Sequence, residues 1–150
     1  MRTRADQAEL LPDIACACAT LRRATRLVTQ LYDEELRPPL QASQFALLAA
    51  IASQHICNRP TLMRTLAFDK TTLSRNLSVL KRKGWIRHAD HPERGLRLTA
   101  SGRAILTSAR PHWRRAQHRL RSAMTKAQWN NMWLAVRDLT NAAHRLRRNK

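Results

Sequence analysis

The sequence predicts a mainly α-helical chain with one small β-hairpin, in the order helix, helix, short helix, helix, hairpin, helix, helix. Three observations carry this reading. Apolar residues recur at steps of three and four along most of the 150 residues, the period of an amphipathic helix. Proline and glycine break the pattern at few places, notably Pro38-Pro39, Pro60 and Gly84, which mark helix ends. After Gly84 the period changes to alternation, the signature of short strands.

The first helix runs from Ile14 to Leu36. Ile14, Cys18, Leu21, Thr25, Val28 and Tyr32 lie on one stripe, and Arg22, Arg23 and Arg26 on the opposite face. Arg37-Pro38-Pro39 ends it, because proline lacks a donor and restricts the residue before it. Ser43 is the expected cap of a second helix, which holds Phe45, Leu47, Leu48 and Ile51 and ends near Gln54. Asn58-Arg59-Pro60 reads as a break. A short third helix spans Thr61–Ala67. Asp69 caps a fourth, Lys70–Lys83, with Leu73, Leu77 and Leu80 inward and Gly84 as its left-handed stop.

Trp85 to His88 and Leu96 to Thr99 alternate around the turn-rich segment Ala89 to Gly95, which predicts the hairpin. Thr99 or Ser101 caps the next helix, which reaches about Ser122 with an expected interruption and kink at Pro111. The last helix starts at Thr125. Trp129, Met132, Trp133, Val136, Leu139, Ala143 and Leu146 form its apolar face. At that spacing they read as core or subunit interface rather than a cofactor site. A chain of this size cannot bury the apolar faces of both terminal helices in one core, so a homodimer is expected.

Formal net charge is +18. Such a chain attracts polyanions, because each phosphate neutralised by Lys or Arg releases condensed counterions. With 3 glycines, Gly-rich phosphate loops are excluded. With two Phe and one Tyr, base-stacking platforms for single strands or RNA are disfavoured. The N-terminus lacks the apolar core of a signal peptide. The longest apolar stretch, Phe45 to Ile51, is too short to span a bilayer. Three cysteines make no closed disulfide framework. The expectation is a cytoplasmic protein with no membrane partner.

Two helices joined by a tight turn and followed by a hairpin make a winged helix-turn-helix. The third helix supports, and the fourth presents Lys70, Thr71, Thr72, Ser74, Arg75, Ser78, Lys81 and Arg82. Small hydroxyl residues let a helix enter the major groove of double-stranded DNA, and the fork of Arg75 fits guanine O6 and N7. Lys81 and Arg82 suit backbone phosphate. A polar, basic helix face is by itself more often only solvated. The hairpin beside it, with Arg87, Arg94 and Arg97, makes a basic wing that can reach the neighbouring groove.

The run Leu66-Ala67-Phe68-Asp69-Lys70-Thr71-Thr72-Leu73-Ser74-Arg75-Asn76-Leu77, with Leu80, Gly84, Trp85 and Ile86, resembles the helix-turn-helix of MarR-family regulators. Leu98-Thr99-Ala100-Ser101-Gly102-Arg103 resembles the segment that closes the family's wing, and Ser43-Gln44-Phe45 its second helix. The resemblance covers almost the whole chain. It implies a homodimer built from segments 13–37 and 103–147, a DNA-binding lobe over 41–102, a pseudo-palindromic operator, and a regulator that is more often a repressor. The competing reading is a non-specific nucleoid-type DNA-binding protein driven by charge.

Cys18 and Tyr32, fourteen residues apart on one stripe, resemble the peroxide-oxidised cysteine and its tyrosine partner in the OhrR-type members of that family. The position of a second tyrosine in that pattern holds Arg22. The other effector implied by the family is a small aromatic or phenolic anion between the dimerisation helices and the DNA-binding lobe. A free cysteine is more often a small buried hydrophobe. Cys16 and Cys18 point about 200° apart on a helix, and His55-Ile56-Cys57 and His88-x-x-His91 lack further partners, so no metal site and no cofactor is expected. No nucleophile elbow, His-Glu-x-x-His or phosphate loop marks an enzyme.

Overall fold

The computed structural model describes residues 16–37, 39–54, 57–89 and 95–148. Within them the chain forms α1 (Ala17–Leu36), α2 (Ala42–Ser53), α3 (Arg59–Leu66), α4 (Lys70–Arg82), β1 (Ile86–His88), β2 (Leu96–Leu98), α5 (Ala100–Ser122) and α6 (Lys126–Arg148). The two strands pair antiparallel, with Ile86 opposite Leu98, Arg87 opposite Arg97 and His88 opposite Leu96. This is the mainly α, winged helix-turn-helix architecture expected. No helix among the described residues is long and apolar enough to cross a membrane. Ile14 and Arg94 lie outside the described residues.

Local chemistry explains where the helices begin. Ser43 is not the cap of α2. Helix α2 starts two residues earlier than a Ser43 cap would place it, and its N-cap Gln41 donates its backbone N–H to Gln44 Oε1 at 3.3 Å. Its first N–H, from Ala42, reaches Asp33 Oδ1 on α1 at 2.6 Å. A carboxylate there satisfies an orphan donor and complements the positive helix end. The break expected at 58–60 is instead the start of α3. Asn58 accepts from Thr61 N at 2.9 Å, and Pro60 sits in the first turn, where its missing N–H costs nothing. Thr125 and Gln128 cap α6 reciprocally, at 2.9 and 3.2 Å.

Helix α5 is not interrupted at Pro111; it is one helix through that residue. Thr99 is its cap, accepting from Gly102 N at 3.0 Å, and Ser101 instead bonds Gly84 O at 2.9 Å. The α5 start lies hard against the hairpin. A Cβ on Gly102 would sit 1.9 Å from Trp85 O, so only glycine allows this approach.

The core gathers Leu40, Phe45, Leu47, Leu48, Ile51 and Leu62 with Leu73, Leu77 and Leu80 of α4, the hairpin's Ile86, Leu96 and Leu98, and Leu106 of α5. Helix α1 packs on α5. Glu35 on α1 pairs with Arg119 at 2.7 Å and Arg115 at 3.3 Å. Hydrogen bonds from Arg119 and then Arg115 hold its carboxyl below the usual glutamate range. Being a lowered acid, it stabilises the α1–α5 contact above the ordinary glutamate pKa, and that contribution is lost as pH falls through the depressed value.

Gly102→Ala tests the packing account. Helix propensity alone favours alanine by about 1 kcal/mol. Contact with Trp85 is expected to reverse the sign and destabilise by about 1–3 kcal/mol, read from the urea midpoint. A stabilised variant would refute the close approach.

Candidate nucleic-acid interface

The fourth helix owes its orientation to three leucines. Leu73, Leu77 and Leu80 are each at most 1% exposed, so the opposite face of α4 must turn outward. Lys70, Thr71, Arg75, Ser78, Lys81 and Arg82 are exposed, and Thr72 and Ser74 are half-buried. The helix starts at Asp69, which accepts from Thr72 N at 2.8 Å and from the Thr72 hydroxyl at 2.5 Å. Those bonds, the hydroxyl's first, hold the Asp69 carboxyl below its usual range. The Thr72 proton is thereby committed to the cap, which leaves that hydroxyl only acceptor capacity toward any outside partner.

The Arg75 guanidinium makes no hydrogen bond or ion pair with the described residues. Lys81 Nζ lies 3.0 Å from His88 Nε2 and ties the end of α4 to the hairpin. Lys83 Nζ donates to Pro39 O at 2.5 Å and stands over the Trp85 ring at 4.5 Å. The C-terminal end of α4 is thus fastened to the α1–α2 connection. On the hairpin, Arg87 and Arg97 are register partners and both exposed. Arg94, the third basic residue expected on the hairpin, lies outside the described residues.

Two polar contacts tie α4 to its neighbouring helices. Arg59 Nη1, on the first turn of α3, donates to Ser74 Oγ at 3.1 Å. Ser43 Oγ donates to Asn76 Oδ1 at 3.2 Å, joining α2 to α4. The Asn58-x-Pro60 pattern carried the signal for the first, since it marks a helix start rather than a break.

Cys18 and Tyr32 are not brought together within the chain. Fourteen residues of one helix separate them by roughly 21 Å. The Tyr32 hydroxyl donates to Gln117 Oε1 on α5, and burial pushes its pKa up. Cys16 and Cys18 are exposed. Cys57 is 1% exposed, and burial raises its thiol pKa to about 11, the setting of an inert cysteine. Among the described residues no group of three His, Cys, Asp or Glu could hold a metal ion.

A cavity of about 620 Å³ lies between α1, α2, α3 and α5. Tyr32, Leu36, Phe45, Leu66 and Trp113 contribute to its wall, which contains no Lys, Arg, Asp or Glu.

No family model matches the chain, and no curated protein matches it either. Solved structures do. The transcriptional regulator MosR of M. tuberculosis is 37% identical, with 89% of this chain and 98% of that chain covered and a TM-score of 0.78. The same regulator solved in complex with DNA is 36% identical over 86% of this chain and 98% of that chain, with a TM-score of 0.70. The oxidised form of MarR from E. coli, 23% identical over 85% and 96% with a TM-score of 0.67, shares the fold. The outward basic helix, the two-stranded wing and the identity to MosR over nearly its full length agree: the chain belongs to the MarR family of winged helix-turn-helix transcriptional regulators.

Proposed function

We propose that the chain is a homodimeric, sequence-specific regulator of transcription that binds double-stranded DNA in the cytoplasm and acts as a repressor. The observation that carries this reading is the outward face of α4. It holds Lys70, Arg75, Lys81 and Arg82 with no acidic residue between them, beside the paired Arg87 and Arg97. The complex of MosR with DNA supports it. In this reading α4 enters the major groove, Thr71, Arg75 and Ser78 face base edges, Lys81 and Arg82 hold phosphate, and the wing, with Arg94, lies in the adjoining groove.

The dimer reading rests on apolar surface. Helix α6 buries no residue within the chain. Trp133, Leu134, Val136, Leu139 and Leu146 are exposed, as are Leu21, Leu27 and Val28 on α1. Exposed apolar stripes on two long helices are the mark of a subunit interface. Segments 13–37 and 103–147 would form it, leaving 41–102 as the DNA-binding lobe. A symmetric pair presents two copies of α4, which must sit about one DNA turn (~34 Å) apart to fit a pseudo-palindrome.

Release by a small ligand has a specific observation in its favour. A cavity of about 620 Å³ is within the usual range for small-molecule sites. It separates α1 from the lobe that carries α4, so a ligand there would change the distance between the two recognition helices. Its uncharged wall suits a neutral aromatic compound better than the anion suggested by the basic composition. Oxidation of Cys18 is the second route. The exposed thiol is open to peroxide, and Tyr32 could serve it only from the partner subunit.

Three outcomes are expected. The wild-type chain should prefer a selected operator over random duplex by roughly 10³-fold or more at physiological salt, whereas a nucleoid-type binder would show no gap. Arg75→Ala should cost about 1–3 kcal/mol on the operator and relax the preference at one base pair; uniform weakening on all sequences would rule out base reading. Phenol should quench Trp113 fluorescence and lower operator affinity while benzoate does not, and Cys18→Ser should leave that response intact. Loss of a peroxide response in Cys18→Ser would establish the second route, and its persistence would remove it.

A further inference from the structure

Serine and threonine hydroxyls in helices commonly donate back to a carbonyl one turn earlier. Ser53, Ser108 and Thr140 do so, at 3.1, 3.0 and 2.7 Å. Ser74 does not. Its oxygen instead accepts from Arg59 Nη1, which reaches across from α3 at 3.1 Å. A hydroxyl has one proton and two lone pairs. With one lone pair filled by a cation, the proton and the second lone pair remain for a partner outside the protein, and the adjacent charge polarises the proton. Ser74 lies on one stripe of α4 with Lys70 and Ser78, four residues to either side.

The surroundings of Arg59 are equally one-sided. Arg59, Arg64 and Lys70 ring a cleft of about 350 Å³ walled by Pro60, Met63 and Leu73. None of the three has a carboxylate within ion-pair distance among the described residues. Three cations at one cleft repel each other until an anion arrives. The guanidinium has five N–H donors in a fixed fork, and one is used on Ser74.

We propose that Arg59 is a positioning residue for sequence recognition: it holds the Ser74 hydroxyl as a hydrogen-bond donor toward an acceptor edge of a base, and its remaining N–H groups hold a backbone phosphate. The anion it recognises is a DNA phosphodiester, presented at the start of the major-groove helix. This inference rests on the DNA-binding reading above. It adds a residue from the supporting helix to the reading surface, and it assigns Ser74 the role of a polarised donor. The acceptors its polarised proton can address are guanine O6 and N7, adenine N7 and thymine O4.

The test uses the full chain and a duplex selected by the wild-type protein from a random-sequence library. Affinity is measured for wild type, Arg59→Ala, Arg59→Lys, Ser74→Ala and the double alanine variant, on that duplex and on its single-base variants. Each single alanine change should weaken binding about tenfold and flatten the preference at the same base pair. The double variant should be little weaker than the poorer single one, because both changes remove one unit. Arg59→Lys should keep the dependence of affinity on salt but lose the base preference, since lysine has the charge without the fork. Effects of Arg59→Ala and Ser74→Ala that multiply, or an Arg59→Ala loss uniform over all base variants, would overturn the positioning role. A lowered melting temperature in Arg59→Ala would assign the residue to the fold and overturn it too. Failure of the wild-type chain to select any sequence would remove the DNA reading itself, whereas selection with multiplying effects would remove only this inference.

Discussion

The seating of α4 on its three leucines is the constraint from which the rest of the molecule follows. Leu73, Leu77 and Leu80 share a core with Leu47, Leu48 and Leu62, and each buried leucine is worth roughly 1.5–3 kcal/mol. That burial fixes the rotation of the helix about its axis. Once it is fixed, every cationic residue of α4 faces solvent. The charged face is a consequence of the apolar one, and no specific electrostatic contact is needed to create it.

The ends of α4 are held by different chemistry. At the start, Asp69 takes both the backbone N–H and the hydroxyl of Thr72. At the far end, Lys83 reaches Pro39 O and Lys81 reaches His88. The first tie is local and sets where the helix begins. The second ties the helix to the α1–α2 connection, and the third to the hairpin. Asp33 extends the chain of contacts by capping α2 from α1. A displacement of α1 therefore meets the end of α4 through a few polar contacts, with the apolar cavity directly beneath α1.

The terminal helices follow a different logic from the lobe. Helix α1 is anchored to α5 at one end by Glu35, Arg115 and Arg119 and by the Tyr32 to Gln117 bond. Helix α6 extends without a buried residue of its own. The lobe has a closed core and the terminal helices have open apolar stripes. The two parts differ in kind: one presents the outward basic helix, and the other exposes apolar surface.

What the sequence determined by itself was periodicity and charge. The steps of three and four, the glycine after α4 and the alternation around the turn were enough for the element order, and the Asp69 to Leu77 run for the family. These are properties of consecutive residues, set by helix and strand geometry that any chain must obey. Helix boundaries near polar and proline residues do not follow from the periodic pattern. The start of α3 at Asn58-Arg59-Pro60 is set by a local cap three residues long, whereas whether Ser43 caps α2 or bonds Asn76 depends on a partner distant in the chain. The Pro111 position in a continuous α5 is of the same kind. Only the tertiary structure decided that Arg59 meets Ser74, that Asp33 caps a neighbouring helix, that Tyr32 faces a cavity rather than Cys18, and that the cavity wall is uncharged. Those facts arise from packing between helices, which juxtaposes residues that no local pattern connects.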